Sequence, residues 1–436
     1  MFKQFKGGKD PRIKEEILAG ISIFLILSHL VFLVPTILSQ GGIDFGGALV
    51  ATALMGAYGS FMMGRLANYP FVLGPSLAMS GYFTYSLVLK EGYSWEHALG
   101  CIFLTGVILL FLNLLHIRQF MIRMIPRSLR LGVTAGLGCF LGLIGLKSAG
   151  IIHSDPGHLI VFASCPPMDY MIIGCGILII SMMLACHIRY AWLFGILIMW
   201  IFSLVFGWVE YQGILSLPSS LTPNLFKLEI LPFFEMKHFD AILSLLLMSL
   251  FESNNILVGL AQEGGFLQEK KGDLEGCLFP RLSRALIPDT TGTILAPILG
   301  LSSLTFYPES LIGMRLGGSS GLTAVTASCL FLITPFFTPL LSSITFVPIT
   351  PVLLLLGWMM LRTFSQLKWD DLTEWLPAII TSIFIFLTFS ILNGITVGYL
   401  SYCLLKLLSG RLREVHWLSW GMALLFILKW FYFSGI

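Results

Sequence analysis

The chain has 436 residues, 56% of them hydrophobic and 11% charged, with a mean hydropathy of +0.88. Soluble domains carry about 25% charged residues, so this composition excludes an ordinary soluble domain and places the chain in a bilayer. The net charge of +3 offers no broad basic face for nucleic acid.

The basic residues 1–14 read as a cytoplasmic N-terminus. The apolar run Ile17–Leu38 that follows is longer than a signal-peptide core and predicts the first membrane helix, with no cleaved leader. Further runs follow over Gly47–Met63, Phe71–Leu89, Ala98–Leu115, Leu129–Leu146, Met168–Cys186 and Ala191–Trp208, completing a first half over residues 15–208. A more polar stretch, 209–238, is expected to be an extracytoplasmic connection. The second half, 239–409, holds Ala241–Leu260, Ala285–Gly300, Tyr307–Leu316, Thr323–Ile344, Val347–Leu361, Leu376–Ile391 and Ile395–Leu408. The tail, 410–436, carries one more run, Trp417–Phe433, which could cross, lie flat or re-enter. A full crossing takes about 20 apolar residues, and several of these runs are shorter.

With the N-terminus inside and about fourteen crossings, the basic residues sort cleanly. Lys90, Lys147, Lys227 and Lys237 fall outside, Lys429 is undecided, and the rest of the 26 Lys and Arg fall inside. That asymmetry is the positive-inside pattern, and a wrong parity would scramble it.

The eight cysteines form no CxxC and lie mostly in apolar runs, which fits small buried hydrophobes. The eight histidines form no HExxH, so nothing points to a metal enzyme. Glycine clusters at Gly132–Gly145 and Gly313–Gly321, where small residues let helices approach closely.

Two runs are interrupted at matching places in the two halves. One reads Leu73-Gly74-Pro75-Ser76-Leu77, the other Tyr307-Pro308-Glu309-Ser310-Leu311. Pro at the start of a helical half has no N–H to lose and a preset φ. The free N–H groups of such a half-helix make a partly positive end. Short, Gly/Pro-broken segments at matching places point to a transporter built from inverted repeats. Seven helices per half would give the halves opposite orientation.

Glu252 lies in Phe251-Glu252-Ser253-Asn254-Asn255, inside an otherwise apolar helix. A carboxylate at membrane depth costs about 2.5–3.5 kcal/mol on insertion scales, so it is rarely there without a use. The plainer possibility is that these four polar residues join helices by hydrogen bonds. Glu309, at a half-helix start, either accepts the helix's own N–H groups or accepts hydrogen bonds from a ligand. His29 is a core residue or a proton relay. Asp289, before Thr290-Thr291-Gly292, reads as a helix-start cap. Ser76 and Ser80 flank the first break and either cap it or bond a ligand.

Several stretches resemble the nucleobase–cation symporters, in particular the adenine/guanine/hypoxanthine permease branch of the xanthine/uracil permease superfamily. They include Asp44-Phe45-Gly46, Leu66-Ala67-Asn68-Tyr69-Pro70, Gly92-Tyr93-Ser94-Trp95, Ile125-Pro126-Arg127-Ser128-Leu129, Gly145 to Ile151, Gly318 to Val325 and Arg413-Glu414-Val415-His416. The resemblance implies an all-α polytopic fold with fourteen helices in two inverted repeats of seven. Helices three and ten are broken by short strands, and a core domain packs against a gate domain. It also implies that Glu252 and Glu309 bind substrate. Four features depart from the branch, all near the implied pocket: Glu252 for Asp, Phe306-Tyr307 for a Thr-rich approach, His29 for Tyr and Ser80 for Asn.

The expected function is therefore proton-coupled uptake of a purine nucleobase (adenine, guanine or hypoxanthine) across the inner membrane. Glu252, Glu309, Ser76, Ser80, Phe306 and Tyr307 would bind substrate, and Glu252 with His29 would couple the proton. The proton gradient would drive it with no cofactor or metal. The expected partners are the base, H+, the lipid bilayer and a second copy of the chain. The alternatives are an anion transporter of the same architecture, which two acids argue against, a membrane enzyme, which lacks a nucleophile–base pair, and a channel, which needs no broken-helix pocket.

Overall fold

The computed structural model describes residues 13–28, 30–118, 126–155, 158–162, 167–186, 188, 191–205, 213, 215–230, 236–266, 279–339, 346–388, 391–415, 419–424 and 426–427. His29, one of the expected proton-coupling residues, lies outside them. Among the described residues are fifteen α-helices and four short strands.

The first half runs α1 (Ile13–Leu27), α2 (Leu30–Ser39), α3 (Phe45–Met62), β1 (Leu73–Pro75), α4 (Leu77–Gly81), α5 (Trp95–Leu114), α6 (Arg127–Ser148), α7 (Pro167–Ala185) and α8 (Ala191–Val205), with β2 (Ile152–Asp155) and β3 (His158–Phe162) between α6 and α7. The second half runs α9 (Met236–Glu263), α10 (Phe279–Ile298), β4 (Leu304–Phe306), α11 (Ser310–Leu316), α12 (Gly321–Ile333), α13 (Phe346–Leu361), α14 (Leu372–Thr388) and α15 (Ile391–Leu408). Among the described residues, five helical stretches are long and apolar enough to cross a membrane: Ile13–Ser39, Phe45–Ala67, Trp95–Leu114, Arg127–Lys147 and His238–Glu263. Shorter apolar helices include Gly321–Phe337 and Leu372–Thr388.

Helix starts follow local chemistry. Asp44 accepts from the Gly47 N–H before α3, Ser76 from Met79 before α4, Ser94 from His97 before α5, and Ser320 from Leu322 before α12. Each supplies a side-chain oxygen to a helix N–H that has no partner within its own helix. Helix α3 widens into a π-helical turn, Met63–Ala67, ended by Asn68 in the left-handed region at φ 51°. Asn68 then accepts from the Gly321 N–H at 2.7 Å, tying the end of this segment to the start of α12.

The two breaks meet. β1 and β4 pair antiparallel, with Leu73 opposite Phe306, Gly74 opposite Thr305 and Pro75 opposite Leu304. The ladder is extended by Tyr307 N–H to Val72 O at 3.0 Å and Ser76 N–H to Ser303 O at 2.8 Å. Non-helical backbone at membrane depth survives only where protein buries it and its polar groups are paired, and these bonds meet that condition. Gly74 has to be glycine: a Cβ there would sit 2.6 Å from the Tyr307 ring.

Around this crossing α1 and α3 pack on α12, and α5 packs on α10 and α9. A second group forms where α6 packs on α13 and α14, and α14 on α15. There Gly138 and Gly357 bring α6 and α13 backbone to backbone, since a Cβ on Gly138 would lie 2.6 Å from the Gly357 carbonyl oxygen.

Two expectations need correction, and one open question is narrowed. Besides the strands at the two breaks, β2 and β3 form a hairpin, with Ile152 opposite Phe162 and Asp155 opposite His158. The β-branched residues of Ile151-Ile152 and Ile160-Val161, flanking Asp155-Pro156-Gly157, carry that preference. Asp289 is no helix cap, because α10 begins ten residues earlier and carries Pro288 and Pro297 inside it. Proline in a helix removes the N–H that would bond the carbonyl four residues back; beyond Pro288 the Thr290 and Thr291 hydroxyls bond back to the Leu286 and Ile287 carbonyls of their own helix at 2.8 and 2.7 Å. The Trp417–Phe433 run, left open above, is helical over its described residues, and Phe426 is buried against Phe251 and Tyr399 with ring centroids 5.5 and 6.0 Å apart.

Candidate functional site

The strand crossing sets two half-helices back to back, and the site is built on it. Ser76, the last residue before α4, accepts from Met79 N–H at 3.1 Å. Its own hydrogen points at Glu252 of α9, 2.8 Å from one carboxylate oxygen and 2.9 Å from the other. Ser80, one turn on, donates to the Ser76 carbonyl at 2.7 Å and lies 2.6 Å from the Ser302 hydroxyl. Both serines are fully buried. Their hydrogens are spent on protein partners, so Ser76 orients Glu252 and Ser80 braces the break.

Glu309 occupies the matching position before α11. It makes no side-chain cap bond to its own helix, and its Oε2 is buried without a hydrogen-bond partner. A buried carboxylate oxygen with no partner is costly. Glu309 thus does not cap α11 through its side chain, and its Oε2 is an acceptor left unpaired.

Both carboxylates open on one cleft with about 540 Å³ of empty space. Phe306, Tyr307 and Pro308 form one wall, Leu77 and Ala78 of α4 another, and Leu137 and Phe140 of α6 face them. The site therefore lies between the strand-crossing group of helices and the α6–α13–α14 group. Tyr307 is not free to move within it, because its hydroxyl donates to the Pro75 carbonyl at 2.7 Å across the crossing. Phe306 is fully buried, at 0% exposure. The arrangement offers apolar and aromatic walls with two carboxylates aimed inward, which suits a flat ligand that carries N–H donors.

Behind Glu252 lies a network that the sequence did not announce. Arg118, at the end of a short turn after α5, is fully buried. Its guanidinium donates to Asn254 Oδ1 at 2.9 Å, Thr290 Oγ1 at 2.9 Å and Asp289 Oδ2 at 2.5 Å. Ser253 donates to the other Asp289 oxygen at 2.7 Å and stands 3.3 Å from Thr305 of β4. Ser253 and Asn254 thus do join helices, as the plainer possibility held, whereas Glu252 faces the cleft. By the charge pattern alone Arg118 falls with the other arginines on the inner side. The signal that could have found it is Asp289, because one way to keep an acid at membrane depth is to pair it with a cation.

Paired half-helix breaks, crossing strands and inward-facing acids on a multi-pass helical scaffold define a membrane transporter, not an enzyme. A family model described as a permease family (Xan_ur_permease) matches residues 14–418. The chain belongs to that family, the xanthine/uracil permeases. It is 35% identical over 429 residues to the adenine permease AdeP of Escherichia coli strain K12, covering 98% of this chain and 95% of that one. It is 32% identical over 428 residues to the guanine/hypoxanthine permease PbuG of Bacillus subtilis strain 168, covering 95% and 96%. Among solved structures, the transmembrane domain of the cyanobacterial bicarbonate transporter BicA has the same fold. It superposes with a TM-score of 0.58 at 14% identity, covering 91% of this chain and 98% of that one.

Proposed function

We propose that this permease takes up a purine nucleobase together with a proton across the inner membrane, with its N-terminus in the cytoplasm. The observation that carries the reading is the single cleft in which Glu252 and Glu309, one from α9 and one from the start of α11, face the aromatic wall of Phe306 and Tyr307. Adenine and guanine/hypoxanthine permeases among the relatives supply the substrate class.

In this mechanism the base lies flat against the aromatic wall and its ring N–H groups donate to the carboxylates. A carboxyl that takes a proton becomes a donor as well as an acceptor. It also loses a buried charge, which lowers the cost of moving the loaded site past the α6–α13–α14 group. Glu252 is assigned that proton and Glu309 the base. Two inverted repeats of seven helices, a core bearing the strand crossing and a gate bearing α6, provide the alternation.

The BicA likeness extends to the fold and leaves the ligand open. Among the described residues that line this cleft an anion would meet two carboxylates and no cation, whereas the buried Arg118 is already held by Asp289. Calorimetry of the purified protein with adenine, guanine, hypoxanthine and bicarbonate tests the assignment. Binding of at least one purine and not of bicarbonate is expected; the converse would reject it.

A further inference from the structure

A second cleft, with about 480 Å³ of empty space, lies on the far side of a wall formed by Leu137, Ile256 and Pro308, residues that line both spaces. One face of α9 runs through the two. Glu252 faces the first cleft; Asn255, Gly259, Leu260 and Glu263 face the second, at the 3- and 4-residue spacing that keeps side chains on one helix face. From Glu252 to Glu263 that stripe climbs about 16 Å at 1.5 Å per residue. Its outer end is charged, with Glu263 and Arg315 both lining the second cleft.

The wall of this second space holds one unexplained group. Asn255 is 4% exposed, yet neither its amide nitrogen nor its amide oxygen has a hydrogen-bond partner. Its neighbours on the same helix are satisfied: Ser253 by Asp289 and Asn254 by Arg118. A buried primary amide with a free donor and a free acceptor side by side is the complement of a purine edge, which presents a ring N–H or amino group next to a ring nitrogen or carbonyl. Gly259, one turn beyond, leaves room beside it, since a Cβ there would touch only Thr134 Oγ1 at 3.7 Å.

We propose that this second cleft is a transit subsite for the same base, held edge-on by the Asn255 amide, between the central cleft and the membrane face that bears Glu263 and Arg315. The inference rests on the purine reading above. The apolar wall of Leu137, Ile256 and Pro308 separates the two sites, and the base passes it when the α6 group moves. By the charge pattern of the chain, Arg315 marks the cytoplasmic face.

The test is one-sided transport kinetics in vesicles of both orientations, offered radiolabelled adenine, guanine and hypoxanthine in turn. Asn255→Leu keeps the volume and removes both polar atoms, so the variant is expected to melt at or above the wild-type temperature without base. Its half-saturation from the Arg315 face is expected to rise about tenfold, the loss of one good hydrogen-bonded contact, while that from the opposite face stays within about twofold. Asn255→Gln, which keeps the amide on a longer stem, is expected to recover part of the loss, and it carries the same one-sided test where the Leu variant yields no folded protein. Equal rises from both faces would place Asn255 in the central site, and no rise from either would make it a packing residue; each overturns the subsite. A wild type that moves none of the three bases from either face fails the proposed function first, and the subsite with it.

Discussion

Ser76 and Glu252, 176 residues apart, share a single hydrogen: the Ser76 hydroxyl lies 2.8 and 2.9 Å from the two oxygens of the Glu252 carboxylate. The same oxygen caps α4 through the Met79 N–H. One side chain therefore both starts the half-helix after the first break and fixes the direction of an acid in the opposite half. Ser76→Ala removes both functions. Losing an N-cap costs about 0.5–2 kcal/mol, and an unsteadied Glu252 is expected to weaken base binding about tenfold. Ser76→Thr keeps the hydroxyl and should restore binding. Calorimetry on the two purified variants decides it; full affinity in Ser76→Ala would show that Glu252 needs no such partner.

Glu309 differs from Glu252 in having no protein partner at Oε2. If substrate N–H groups complete that carboxylate, Glu309→Gln loses most of the binding and leaves folding intact. The variant should elute and melt like the wild type, with affinity down by at least about tenfold, the worth of one charge-assisted hydrogen bond. Unchanged affinity would reduce Glu309 to a passive residue at the start of α11.

The Arg118–Asp289 pair is wholly buried on both sides. Arg118→Met strands the Asp289 charge, and breaking one partner of a buried pair costs about 3–5 kcal/mol. Arg118→Met combined with Asp289→Leu removes both charges and should recover much of that loss. Thermal melting of the three proteins in one detergent is the measurement. A single variant as stable as wild type would mean that Asp289 is not held as a charge.

Much of this site was legible in the sequence because membrane depth makes an acid or a proline conspicuous. Glu252, Glu309 and the Gly74-Pro75 and Tyr307-Pro308 breaks all stand out against apolar runs. Arg118 escaped because it belongs to a cluster of arginines that the positive-inside rule absorbs, and only its burial separates it from them. Asp289 was misplaced because Pro288 before it and Thr290-Thr291-Gly292 after it imitate a helix start. In the structure the helix instead starts at Phe279 and carries Pro288 inside it. The pairing of β1 with β4 joins residues more than 200 apart, and no local pattern encodes it; nor could spacing alone reveal that Phe426 packs on Phe251, next to Glu252.

Phe306 and Tyr307 supply the aromatic wall, and they are not equivalent. Tyr307 is tethered to Pro75, whereas Phe306 contributes bulk alone. Ligands that overfill a packed space typically lose about 1–3 kcal/mol, so the wild type should prefer one purine sharply. Phe306→Thr opens the wall and should flatten that preference. Competition of one labelled base by the others reads it directly; equal competition in the wild type, unchanged in the variant, would show that this wall does not set selectivity.

The coupling assignment is tested most directly by uptake of a labelled purine into vesicles with and without an imposed proton gradient, comparing wild type with Glu252→Gln. The glutamine mimics the protonated carboxyl and cannot release a proton. Wild type is expected to accumulate base only with the gradient, whereas the variant binds and exchanges base but fails to accumulate it under either condition. Gradient-driven accumulation by Glu252→Gln at the wild-type level, or accumulation by wild type indifferent to the gradient, would contradict proton-coupled uptake through Glu252.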